Sequence, residues 1–367
     1  MPQSCMPAPA FASPIAPSAD PRAARGIRHP LSCIVTIGLC AVVAGARSFA
    51  AIGQWAAHAP QHTLARLGAR TVCPALGLRR APSTDTIRRV LTRLDPARLT
   101  APADAGRAPF LALDGKTLRG SALDEAGPAH LLAAMTAEGH VAAQVRVDAK
   151  DSEIAHVAEL LTDLDTRGVI VSGDALHTQR PTARYLVEQA GAHYVLQIKG
   201  NQPRLHAQAK GLPWAQAPVL VRTRQLGHGR RETRTAKVLA TGGLQFPHAR
   251  QVIRIIRTST EITTGKTRRR TAYAVTGLDT ARAGPELLER LIRRHWRIEA
   301  LHYLRDTAFG EDASRVRCGH APQNMAMLRN LAIPVLAALG NCRWISEAIR
   351  WVSYDAFNRP LDLIGLP

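Results

Sequence analysis

The 367-residue sequence is poor in lysine, aromatic residues and acid. Only six of its 48 basic residues are Lys, Phe, Trp and Tyr together make up 4%, and 28 Asp and Glu leave a formal charge of +20. The six cysteines (Cys5, Cys33, Cys40, Cys73, Cys318, Cys342) include no Cys-x-x-Cys pair, which excludes a small disulfide scaffold and indicates neither a zinc knuckle nor a redox dithiol. No apolar run reaches the roughly 20 residues of a bilayer-spanning helix. The stretch Leu31 to Ala46 follows Arg22, Arg25 and Arg28 and ends in Ala44-Gly45-Ala46, in the manner of a signal peptide. It is interrupted by Ser32, Thr36 and Gly38, however, and Ser48 to Trp55 continue its helical spacing, so it reads as a buried helix. Internal repeats, a Walker loop and a dinucleotide fingerprint are all lacking.

With 46% hydrophobic and 21% charged residues, the chain is not a wholly disordered one, and its length allows about two or three domains. The cysteine usage fits a reducing, cytoplasmic setting. Such an excess of positive charge points to a polyanionic partner, DNA or RNA. The preference for Arg suits bidentate phosphate contacts, and a GC-rich genome would produce it equally well.

Residues 1–30, rich in Pro, Ala and Ser, read as a disordered leader, and 31–105 as a small helical N-terminal domain. Within the latter, Ser83 or Thr84 caps a helix whose Ile87, Val90, Leu91 and Leu94 share a face. Its Arg88, Arg89 and Arg93 lie elsewhere, as either a DNA-contacting set or a solvated surface. From Pro109 the pattern alternates: strands at Phe110–Leu113, Leu131–Met135 and Val141–Val147, a helix at Ser152–Leu164, a strand at Val169–Ser172, a helix at Pro181–Ala190 and a strand at Tyr194–Ile198. Three strands in a meander followed by crossover units predict an α/β domain over 106–340. A strand-rich block at 201–280 interrupts it. Within 201–275 there are 15 Lys and Arg against Glu232 and Glu261, a net of +13. Helix returns from Pro285 to about Phe309, then at Asn324–Leu339 and Trp344–Val352, with 341–367 forming a C-terminal helical tail.

Asp114 and Asp174 each stand where an apolar strand stops, so adjacent strands would bring both to one sheet edge. Either Asp can instead be a simple turn cap. Glu299 lies on the long helix in one stripe with His295, His302 and Asp306. Two carboxylates from strands and one from a helix suit two hard cations, Mg²⁺ or Mn²⁺, about 4 Å apart, the arrangement of in-line phosphodiester displacement.

In its order of motifs the chain resembles the DDE transposases of bacterial insertion sequences, specifically the H-repeat-associated (ISAs-type) family. The stretches that carry the resemblance are Ser48–Trp55, Pro82–Asp95, Leu113–Ser121, Lys150–Ile154, Gly173–Gln179, Lys199–Gln202, Gly227–Arg234, His295–Glu299 and Glu311–Arg315, spread over roughly residues 28–340. The resemblance implies a ribonuclease H-like mixed-sheet catalytic domain with a β-rich insertion. It places the catalytic and metal-binding roles on Asp114, Asp174 and Glu299, with double-stranded DNA, both terminal inverted repeats and target, as partner and a homodimer in the DNA complex. Glu311 and Asp312 are rival third ligands. Of the Tyr-Arg-Glu-Lys signature of related families only the Glu is retained, because Ile292, His295 and Asp306 stand at the other offsets. Lys116, Arg119, Lys199, Asn201, Gln202, His228, Arg230, Arg268, Arg269, Arg270 and His295 are expected DNA contacts, and Trp296 is expected either to pack in the core or to stack on an extruded base. The competing expectations are a decayed or domesticated transposase that only binds DNA, and a nuclease without strand transfer.

Overall fold

A computed structural model describes residues 20–99, 108–122, 127–148, 151–227 and 229–366. Residues 1–19 of the expected leader, and His228, lie outside them. The chain opens with α1 (Leu31–Val43), α2 (Phe49–His58), α3 (Gln61–Arg66), a hairpin of β1 (Arg70–Cys73) and β2 (Leu78–Arg80), and α4 (Thr84–Arg93). The continuous helical spacing expected from Leu31 to Trp55 is broken: Gly45 takes a left-handed φ of 101°, and the Ser48 side chain accepts the Ala51 N–H to start α2 afresh. Ser83 caps α4 in the same way, accepting the Thr86 N–H.

A nine-stranded mixed sheet follows, built from β3 (Phe110–Thr117), β4 (His130–Thr136), β5 (Val141–Val147), β6 (Ile170–Gly173), β7 (His193–Ile198), β8 (Val221–Gly227), β9 (Arg230–Ala240), β10 (Gln251–Glu261) and β11 (Thr267–Thr276). Its order is β5-β4-β3-β6-β7-β11-β10-β9-β8. The β3–β6 and β6–β7 pairs are parallel and the remaining pairs antiparallel. The basic block therefore extends the same sheet, because β11 pairs with β7. The helices between strands are shorter than the sequence predicts. Ser152–Leu164 becomes a 3-10 turn at Glu153–His156 and α5 (Val157–Leu161), and Pro181–Ala190 becomes α6 (Arg180–Arg184) and a π turn at Tyr185–Gln189. After β7 comes α7 (Pro203–Gly211), and after β11 come α8 (Pro285–Thr307), α9 (Ala321–Ala337), α10 (Ile345–Ser353) and α11 (Arg359–Leu363).

Both faces of the central strands are covered, which is why they read as unbroken apolar runs. Phe110 and Ala112 join a core shared by α1, α2, α4, α8, α9 and α10, whereas Leu111 and Leu113 join a second core with α5, the α6 region and α7. Eleven of the 13 residues of α1 are buried, and it packs on α9. That is the environment of a core helix. Among the described residues no helix is long and apolar enough to cross a membrane.

Candidate active site

The parallel register of β3 and β6 ends on the rung Leu113–Gly173. Asp114 and Asp174 are the next residues on the two neighbouring strands, so both carboxylates leave from one sheet edge, at the carboxyl ends of parallel strands. The expectation that β3 stops at Asp114 is corrected: only its pairing with β6 stops. Antiparallel pairing with β4 carries β3 on to Thr117, opposite His130.

Asp114 has the strand parity of Phe110 and Ala112, the face that α8 covers, and Glu299 arrives from α8. Glu299 feels the other two carboxylates. Partial desolvation pushes the Glu299 carboxyl above its ordinary range, the charge of Asp114 adds to this, Lys199 pulls it back, and Asp174 pushes it up further. Asp174 is also the turn cap that the sequence allows, since its Oδ1 accepts the N–H groups of Leu176 at 2.8 Å and His177 at 3.3 Å. His302 Nδ1 lies 3.3 Å from Asp114 Oδ2. Burial holds His302 below its ordinary pKa, although the neighbouring Asp114 carboxylate acts the other way.

Two of the expected DNA contacts, His295 and Lys116, turn inward instead. His295 is buried, with Nδ1 3.0 Å from the Ser172 hydroxyl, and burial lowers its pKa although Asp114 and Asp174 act the other way. Lys116 is buried as well, its Nζ 2.7 Å from Asp306 and 3.5 Å from Asp312. The ammonium is thus committed to two carboxylates, tying β3 to the end of α8. Asn201 donates to the Ala175 carbonyl at 2.6 Å and Gln202 to Gln179 Oε1 at 2.9 Å, which fastens the segment after β7 to the loop that carries Asp174.

Lys199, Arg119, Arg230, Arg268, Arg269 and Arg270 remain exposed. Side chains alternate along β11, so its arginine run is divided. Arg268 and Arg270 line one concavity with Arg230, Arg257 and Lys266, and Arg269 belongs to the opposite face. Trp296 is 46% exposed, against the expected core packing. Glu311 is disqualified as a rival ligand by its surroundings. It is 1% exposed and gripped by Arg305 at 2.7 Å and Arg329 at 2.8 Å; burial alone would raise its carboxyl, but the two guanidiniums lower it.

A second polar cluster lies beside the first and escapes sequence reasoning. Glu153 Oε1 is 2.8 Å from His130 Nε2, and Glu153 Oε2 is 3.1 Å from His177 Nε2. Burial would raise the Glu153 carboxyl, yet its contacts with the two imidazoles bring it down to about 2. Gly115 makes room for this cluster: a Cβ at that position would stand 2.2 Å from Glu153 Oε1 and 2.6 Å from His130 Nε2 and would displace both side chains. Glu153 and His177 do lie in stretches that carry the family resemblance, but no spacing rule joins residues so far apart in sequence.

Among the described residues no three His, Cys, Asp or Glu side chains are already gathered into a ligand set. The chemistry of the acidic trio nevertheless fits a hard divalent cation. Asp114 and Asp174 each raise the pKa of Glu299 and Lys199 alone offsets them, so a cation among the three relieves a like-charge cost already present.

Comparison with known proteins identifies the family. A family described as "Transposase DDE domain" matches residues 106–333, and one described as "DDE_Tnp_1-associated" matches 15–103. The chain is 28% identical over 353 residues to "Putative transposase YncI" of Escherichia coli O157:H7, covering 88% of this chain and 85% of the relative. It is 26% identical over 336 residues to "H repeat-associated putative transposase YhhI" of Escherichia coli K12, covering 84% and 85%. It is also 39% identical over 236 residues to "Uncharacterized protein in dhlA 3'region" of Xanthobacter autotrophicus, covering 59% and 75%. Carrying the DDE domain over more than half its length, the chain belongs to the DDE transposase family of insertion sequences.

Proposed function

We propose that Asp114, Asp174 and Glu299 are the catalytic carboxylates of this transposase and that its central strands form a ribonuclease H-like fold. The observation that carries the reading is the shared last rung Leu113–Gly173, from which Asp114 and Asp174 emerge side by side beneath the helix bearing Glu299. The order β5-β4-β3-β6-β7, a three-stranded meander followed by two parallel strands, supports the fold assignment.

Asp114, Asp174 and Glu299 would hold two Mg²⁺ or Mn²⁺ ions, which would supply an activated oxygen nucleophile and stabilise the leaving oxygen. The first reaction is hydrolysis at a transposon end, in which water attacks phosphorus and the bond to O3′ breaks, freeing a 3′-hydroxyl. In the second, that hydroxyl attacks a phosphodiester of target DNA, and the target's own P–O3′ bond breaks. Around this chemistry the chain's residues bind and orient. Lys199, exposed at the end of β7 and electrostatically felt by Glu299, meets phosphate oxygens beside the scissile bond. His302 fixes the Asp114 carboxylate from the α8 side, while His295 anchors α8 to Ser172 on β6. Where related families place a basic residue on the Glu helix this chain has Asp306, and Lys116 answers it from β3.

The exposed arginines of the β9–β11 ribbon and Arg119 hold double-stranded DNA by its phosphates. A homodimer bridging two transposon ends, acting at the nucleoid in the cytoplasm, completes the proposal. Decay to a mere DNA-binding protein is disfavoured by the three intact and converging carboxylates. The test is strand transfer. A labelled duplex ending in the element's terminal repeat, incubated with Mg²⁺ and a second duplex, is expected to yield joined 3′ ends. Cleavage without joining would leave a nuclease, and DNA binding without cleavage would leave a domesticated binder.

A further inference from the structure

A groove of about 800 Å³ separates the start of α2 and the exposed side of α4 from the segment that follows α8. Six arginines line it: Arg47, Arg88, Arg89, Arg93, Arg315 and Arg317. All six are exposed, and no carboxylate is among the lining residues. Arg47 donates to the Ala308 carbonyl at 3.1 Å and Arg317 to the Gly120 carbonyl at 3.3 Å, contacts that orient the guanidiniums without neutralising them. Arg88 has a partner in Asp85 at 3.0 Å, in a pair whose side chains are both largely solvated. Among the described residues Arg93 and Arg315, on opposite walls, have no acidic partner.

Concentrating this much like charge costs self-repulsion that nothing within the groove relieves. The position is equally telling. Glu299 lies eight residues before the last residue of α8, about 12 Å along the helix axis, and the groove's second wall begins just beyond that end. At about 3.4 Å per nucleotide along one strand, this is within a few phosphates of the acidic trio.

We propose that this groove is a second DNA site, a clamp that grips the phosphodiester backbone a few nucleotides from the cleaved phosphate, with one wall from the N-terminal helices and the other from the extension of the Glu299 helix. The proposal rests on the reading of the protein as a transposase acting on DNA. Guanidinium forks on both walls suit backbone phosphates and leave base sequence unread. The clamp also couples DNA engagement by the N-terminal helices to the placement of α8.

The test is the salt dependence of binding to a duplex ending in the element's terminal repeat. Wild type is compared with Arg93→Gln/Arg315→Gln and with Arg93→Lys/Arg315→Lys. Each lost phosphate contact lowers the slope of log K against log[salt] by about 0.9, so the Gln pair is expected to lower it by about 2 and the Lys pair to leave it near wild type. Thermal melts check that both remain folded, and the single Arg315→Gln variant, with an expected drop of about one, decides if the Gln pair does not fold. A wild-type slope in the folded Gln variants overturns the clamp, and so does a change in self-association without a change in slope, which would mark the groove as a protein contact. If wild type nicks DNA while the variant slopes are unchanged, only the clamp falls. If wild type binds no DNA at all, the transposase reading falls with it.

Discussion

At the residue scale two carboxylates, Glu153 and Glu311, are held below their ordinary range by their neighbours. Glu153 is held at about 2, below an ordinary value of 4.5, by His130 and His177. Because the folded value is the lower one, this contribution to stability is complete above about pH 4.5 and is lost as pH falls toward about 2. The shift corresponds to roughly 3 kcal/mol. Unfolding by denaturant between pH 6 and pH 3 is expected to show this loss in the wild type and a flatter profile in Glu153→Gln. Equal pH profiles would mean that the two imidazoles do not hold the charge. Glu311 makes a different prediction. Changing it to Gln leaves Arg305 and Arg329 buried without their counter-charge and should cost about 3–5 kcal/mol of stability. The molecules that remain folded should still nick DNA, as befits a structural residue; inactive but fully folded Glu311→Gln would restore it as a candidate ligand.

Between elements, the key relation is the one of β3 and β6 to α8. The sequence makes much of it legible. Apolar runs ending at Asp114 and Asp174, and the polar stripe through Glu299, are local patterns, and local patterns survive folding. What stays hidden depends on partners distant in the chain. The extension of β3 to Thr117 is decided by β4, the inward turn of Lys116 by Asp306 and Asp312, and the contact made by His302 by Asp114. The same limit explains Arg268–Arg270, one basic run in sequence that strand alternation splits between two faces. Arg268→Gln with Arg270→Gln should lower the salt slope of DNA binding by about 1.8, since both face Arg230 and Arg257. Arg269→Gln should change it separately or not at all. An Arg269 effect as large as the pair's would show that the ribbon meets DNA on its other face.

For the whole molecule, the division of charge is the organising fact. A formal +20 is spread over the chain, with a net +13 on residues 201–275 and a second concentration in the groove beside α4. The acidic trio stands apart from both. In the proposed reading, basic surface brings DNA to the protein, and the three carboxylates gathered at the carboxyl edge of the parallel strands act on it. Loss of the acids should therefore spare binding, and loss of the arginines should weaken binding at physiological salt while the acids stay in place. The direct measurement is Mg²⁺-dependent nicking of a duplex carrying the terminal inverted repeat, by wild type and by Asp114→Asn, with DNA affinity measured on the same samples. The account predicts nicking by wild type, no nicking above background by Asp114→Asn, and similar affinity for both. Nicking retained by Asp114→Asn would contradict it.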